Sequence, residues 1–210
     1  RDALVLEANS LKDTELRSYF QKQAHQEGLT FDKGVFEELL VKSSFDFSDI
    51  QKNLAFLKGY KTEGNISSQD IMEAIPKSLQ DNIFDMTQLL LRGQIQDVRE
   101  LVHDLRLQGE DEIKLIAVML GQYRTYLQVK LLSAQGKSEQ QIVSSLSDYL
   151  SRKVNPFQVR YAIRDSRHLS VAFLKTTIKT LVETDYQIKT GTLDKDYLLD
   201  LALLKIASNS

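Results

Sequence analysis

"EIKLIAVMLGQYRTYLQVKLLSAQ", residues 112 to 135, is apolar on most of its circumference when wound at 3.6 residues per turn. A helix with that pattern must be packed on several sides, so the stretch reads as the central helix and core of a helical domain. It does not read as a membrane span, because Glu112, Lys114, Arg124 and Lys130 interrupt it, and no apolar run in the chain approaches the ~18 residues that crossing a bilayer needs.

Helical periodicity extends outward in both directions. On the N-terminal side, two leucine-rich helices meet at Arg92-Gly93 and the second turns at Gln108-Gly109; on the C-terminal side, helices are expected over Ser138 to Leu146, Pro156 to Arg167, Ser170 to Lys189 and Asp194 to Ala207. Asn155 is placed to cap the helix that Pro156 opens. Long helices joined by short turns imply a bundle. Pro76 cannot continue a helix and pushes Ile75 out of the α region, so a domain boundary is expected at residues 76 to 78. Before it, shorter amphipathic helices are expected. One runs from Leu11 through Leu16, Tyr19 and Phe20 to Gly28, and one runs from Phe31 to Val41 with Val35, Phe36, Leu39 and Leu40 on one face. A third, capped by Asp46 or Ser48, carries Ile50, Leu54 and Leu57 as its stripe, and a fourth runs from a Ser67 cap to Ile75. The fold class expected is all-α: a small helical domain followed by a helical bundle.

The bulk numbers narrow the chemistry. With 210 residues, 42% of them hydrophobic, the chain can bury a sizeable core, and its 27 Lys plus Arg nearly balance 29 Asp plus Glu, so no net field draws it to nucleic acid or anionic lipid. It has no cysteine, which excludes disulfides, a thiolate zinc site and a cysteine nucleophile, and fits a cytoplasmic location. The first residues, "RDALVLEANS", lack the sections of a signal peptide; they begin at Arg1 in an alternating stretch that reads as a strand, as expected of a piece of something longer.

Four constellations merit weighing. Asp81 and Asp85 stand one turn apart in "DNIFDMTQLLLRGQ". They could share a metal with His103 in a helical hydrolase, but the Glu-x-x-His pattern of bundle metal sites does not occur, and carboxylates in a first helical turn are favoured by the helix dipole. His25, His103 and His168 lie far apart among polar residues, and neither a G-x-S-x-G motif nor a phosphate-cradling glycine loop is present. Neither a catalytic site nor a cofactor is therefore expected. Arg160, Arg164 and Arg167 recur on one helix face behind Arg152 and Lys153, a stripe that could meet nucleic acid, an acidic protein partner or only solvent. Tyr123 and Tyr126 flank Arg124, and Leu198, Leu199, Leu201, Leu203 and Leu204 spread over more than one face of the last helix; Tyr123, Arg124, Tyr126, Leu198, Leu199 and Leu203 are the expected protein interface.

Taken together, "AIPKSLQDNIFDMTQLLLRG" from Ala74, "LRLQGEDEIKLIAVMLGQYRTYLQVKLL" from Leu105 and "LVETDYQIKTGTLD" from Leu181 resemble the delta subunit of the bacterial DNA polymerase III clamp loader, of the Gram-positive type. The order and spacing match along essentially the whole chain. The resemblance implies residues 1–9 as the remnant of a missing N-terminal AAA+-type domain, 10–75 as a helical lid and 79–210 as a helical collar. It implies no ATP hydrolysis by this subunit, assembly with gamma/tau and delta-prime subunits through the collar, contact with the sliding clamp through the missing domain, passage of primer-template DNA through the assembly, and no membrane.

Overall fold

The structure, a computed structural model, describes residues 13–43, 45–62, 64–151, 154–191 and 193–209. The ring of Pro76 keeps the residue before it from staying helical, and Ile75 accordingly takes φ −100° and ψ 116° as the cap of a helix that ends at Ala74. Ser78 starts the next one. Its hydroxyl accepts the Asp81 N–H (3.1 Å) while the Asp81 carboxylate accepts the Ser78 N–H (3.1 Å), a reciprocal box that satisfies two otherwise orphaned donors. The chain divides into two compact units between Pro76 and Lys77.

The first unit contains α1 (Asp13–Gln26), β1 (Leu29–Phe31), α2 (Val35–Lys42), α3 (Phe47–Tyr60), β2 (Gly64–Ile66) and α4 (Ser68–Ala74). Asp46, rather than Ser48, caps α3 by accepting the Asp49 N–H, and Ser67 caps α4 in a box with Asp70. The strand expected at Ala3 to Ala8 lies outside the described residues. The two strands differ from the all-helical expectation. They pair in parallel with Leu29 opposite Gly64 and Phe31 opposite Ile66, and Asp32 N–H continues the ladder to the Ile66 carbonyl at 2.9 Å. The helix expected from Phe31 consequently begins only at Val35, after Gly34 has turned the backbone at φ 86°, a left-handed conformation that glycine adopts without a Cβ clash. Phe20, Leu39, Leu40, Ile50, Leu57 and Ile66, all at 0% exposure, are the centre of this unit's core.

The second unit contains α5 (Leu79–Leu91), α6 (Ile95–Leu107), α7 (Glu112–Ala134), α8 (Glu139–Leu150), α9 (Pro156–Asp165), α10 (Val171–Lys189) and α11 (Lys195–Ala207). Helix α7 is central. It packs on α5, α8, α9, α10 and α11, most extensively on α10, and buries Leu115, Ile116, Met119, Tyr123 and Val129 among them. Ile83, Met86 and Leu90 bring the inner face of α5 onto the same core, with Val98, Val102 and Leu105 from α6. Removing that apolar area from water, at roughly 25 cal/mol per Å2, is the main driving force for the bundle. Side-chain caps mark the starts of most of its helices: Ser78, Asp111, Ser138, Ser170 and Asp194 each accept a first-turn N–H.

Candidate functional site

Three helix ends of the second unit meet around one carboxylate. Asp111 caps α7 by accepting the Ile113 N–H at 2.8 Å, Asp194 caps α11 through the N–H groups of Asp196 and Tyr197, and Arg106 stands in the last turn of α6. Glu112, the first residue of α7, is only 3% exposed. Its oxygens are held by Arg106 Nε at 2.8 Å and Lys195 Nζ at 2.8 Å. Lys195 also reaches Asp111, and the Arg106 guanidinium lies 3.8 Å from the carboxylates of both Asp196 and Asp200.

Burial opposes ionisation of Glu112, but the hydrogen bond from Lys195, the backbone N–H at its own position and the Arg106 bond outweigh it and hold the carboxyl at about 2. Lys195 is pushed upward by its bonds to Asp111 and then Glu112, and Asp196 is raised by sharing a hydrogen bond with Glu112. Carboxylates at the N-termini of α7 and α11 also face the positive ends of both helix dipoles. Each charge at the centre has an opposite partner. Such an arrangement locks helix ends together. Sequence reading missed it, because Glu112 and Lys195 are 83 positions apart and no local spacing relates them.

The expected site residues fall elsewhere. Asp81 is the first-turn carboxylate of the α5 capping box, and Asp85, in the second turn rather than at the helix start, takes Lys77 Nζ at 2.7 Å. His25, His103 and His168 are exposed, and among the described residues no group of three His, Asp or Glu side chains is placed to hold a metal ion.

The interface expected at Tyr123, Arg124, Tyr126, Leu198, Leu199 and Leu203 needs correction. Tyr123 is fully buried, and donates to Thr87 Oγ1 at 3.0 Å, which in turn donates to the Ile83 carbonyl at 2.9 Å. Tyr126 is nearly as deep, and burial pushes its hydroxyl up to about 12. Leu198, Leu199 and Leu203 are 3% exposed or less, because α11 packs on α5, α6, α7 and α10 and uses those leucines to do so. The surplus apolar face of the last helix was surplus only to one neighbour. Arg124 is exposed, as are Tyr197 and Leu204 on the outer side of α11.

The arginine stripe is taken up locally. Arg160 makes a two-pronged pair with Glu139, its Nε and Nη2 at 3.0–3.2 Å from the carboxylate, which ties α9 to α8. Arg164 bonds Asp165 at 2.6 Å and lies over the Tyr161 ring at 4.7 Å. Arg167 is exposed, and its backbone carbonyl, with that of Ser166, accepts from Lys130 Nζ, closing the C-terminus of α9. Charges bound in this way present a smaller field to phosphate than three free guanidiniums would.

Comparison with known proteins adds what geometry alone does not. Residues 80–206, which lie within the second unit, match the family model described as the DNA polymerase III delta subunit, C-terminal domain. The chain is 31% identical to the DNA polymerase III subunit delta of Bacillus subtilis (strain 168) over 98% of its own length. It also superimposes on the solved structure of the Bacillus subtilis DNA clamp loader delta protein with a TM-score of 0.73 and 30% identity, covering 97% of this chain. In both cases it spans 58% of the relative's length. An eleven-helix architecture among the described residues, a core-packed α11 and a sequence match over most of the bundle converge, and the chain belongs to the family of the DNA polymerase III delta subunit.

Proposed function

We propose that this chain is the lid and collar portion of a clamp-loader delta subunit, in which the unit before Lys77 is the lid and the unit after Pro76 is the collar. The observation that carries this reading is the similarity to the Bacillus subtilis clamp loader delta protein over nearly the full chain. The collar joins the subunit to gamma/tau and delta-prime partners, and the lid relays their movement toward a sliding clamp engaged by a domain outside this chain. The role is mechanical. The ion network of Glu112 and the buried Tyr123 chain supply rigidity to the collar, which a subunit that transmits force requires, and the chain takes no part in nucleotide hydrolysis.

Size-exclusion chromatography of the chain mixed with the gamma/tau and delta-prime subunits of its own organism tests this. Co-elution as a stable complex at micromolar concentration is expected. Separate elution of all components, each shown to be folded, would overturn it.

A further inference from the structure

Around the Glu112 network, four large apolar side chains face solvent. Leu107 closes α6, Ile113 follows Glu112, Leu193 precedes α11 and Tyr197 follows Asp196; their exposures are 76%, 39%, 55% and 56%. All four belong to the helix ends that Arg106, Glu112, Lys195 and Asp196 bind together, so they lie at the same end of the second unit. An apolar cluster held on a rigid frame and rimmed by charge is the usual make-up of a protein docking surface, since little ordering is needed on association.

The charge around it selects the partner. Residues 99–114 and 193–200 carry eight carboxylates against four cations. Those cations are engaged: Arg106 and Lys195 in the network, Lys114 with Glu110 at 2.7 Å, and Arg99 with Asp200 at 3.8 Å. The uncompensated charge is negative, which repels nucleic-acid phosphate and anionic lipid and attracts a basic protein surface.

We propose that this acidic, apolar end of the second unit docks a lysine- or arginine-bearing apolar segment of a neighbouring subunit. The proposal rests on the collar reading above and assigns it a surface. The cationic segment lays its apolar side chains on Leu107 and Tyr197, while its charges face the carboxylate rim.

The test uses the full chain and the gamma/tau and delta-prime subunits. Leu107→Asp combined with Tyr197→Asp is expected to weaken assembly by about tenfold or more, as removal of central apolar contacts does. Tyr149→Asp, at an aromatic on α8 that is still more exposed than Tyr197, is expected to leave assembly unchanged. Asp104→Lys is expected to weaken it, and wild-type affinity is expected to fall as salt rises from about 50 to about 300 mM, where screening shortens to a few ångströms. Hydrogen exchange supplies a readout independent of the variants: amides in 104–114 and 193–198 gain protection on complex formation. If wild-type chain assembles but the double variant binds within twofold of it, or these amides gain no protection, the docking surface is wrong and the collar reading stands. If the wild-type chain does not assemble at all, the collar reading fails and this inference with it.

Discussion

Glu112 shows how one buried carboxylate can set the behaviour of a whole helix junction. Replacing it with Gln keeps its shape but leaves Arg106 and Lys195 facing a neutral group, and a loss of about 1–3 kcal/mol at pH 7 is expected from urea denaturation. The pH dependence follows from the sign of the shift. A carboxyl whose ordinary value is about 4.3 and which is held at about 2 in the folded chain contributes stability that is fully present above the former and fades as pH falls toward the latter. Asp196, shifted the other way, takes up a proton more readily when folded and offsets part of that loss. The gap between wild type and Glu112→Gln should therefore narrow as the pH falls from about 5 to about 2; a constant gap across that range would show that the Glu112 charge is not what stabilises the junction. Tyr123 gives a second measurement at this scale. Its hydroxyl donates to Thr87, whose own proton is already placed on the Ile83 carbonyl, so Tyr123→Phe removes one buried bond and should cost about 1 kcal/mol in the same assay.

At the scale of an element, α11 is where the sequence reading and the structure part. Its leucines cover more than one face, and from the sequence a partner chain is the natural inference; within the folded unit they meet α5, α6, α7 and α10. Truncation distinguishes these roles. Leu199→Ala should lower unfolding free energy by about 2–5 kcal/mol by opening a cavity, whereas Leu204→Ala, half exposed on the outer side, should change it by no more than about 0.5 kcal/mol. Equal effects from the two would mean that α11 does not pack as described. Helix α5 offers a parallel case. Asp81 and Asp85 look like paired ligands in one dimension, but the Ser78 box consumes the first and Lys77 the second. Ser78→Ala should cost about 1 kcal/mol in thermal melts, the usual worth of an N-cap. The Arg160–Glu139 pair, exposed on its arginine side, should show a coupling of only about 0.2–1 kcal/mol in a double-mutant cycle.

At the scale of the molecule, the division between Pro76 and Lys77 predicts that residues 77–210 fold alone. Expressed without the first unit, they should give a helical circular-dichroism spectrum and one cooperative melt; a spectrum without helix would refute that independence. Much of this architecture is legible from local chemistry. Pro76, the serine caps, the glycine turns and the 3.6-residue apolar period each act within a few positions, so helix order, the break at Pro76 and the central place of residues 112–134 follow from reading along the chain. The family resemblance is legible for the same reason, since it lies in the order of those segments. Two three-residue strands were not, because three residues are too few to display an alternation and their pairing joins positions 35 apart. Nor was the fate of individual side chains. Whether Leu199 or Leu204, Tyr123 or Tyr197 faces water depends on which helices lie alongside, and whether Arg160 is free or paired depends on Glu139 arriving from another helix. By itself the sequence determined the order of the helices, their caps and the break at Pro76, though not the two short strands or every helix end, because propensity, capping and backbone geometry are short-ranged. Only the tertiary structure decided which faces remain exposed and which charges are already satisfied, because burial and ion pairing are set by neighbours tens of residues away.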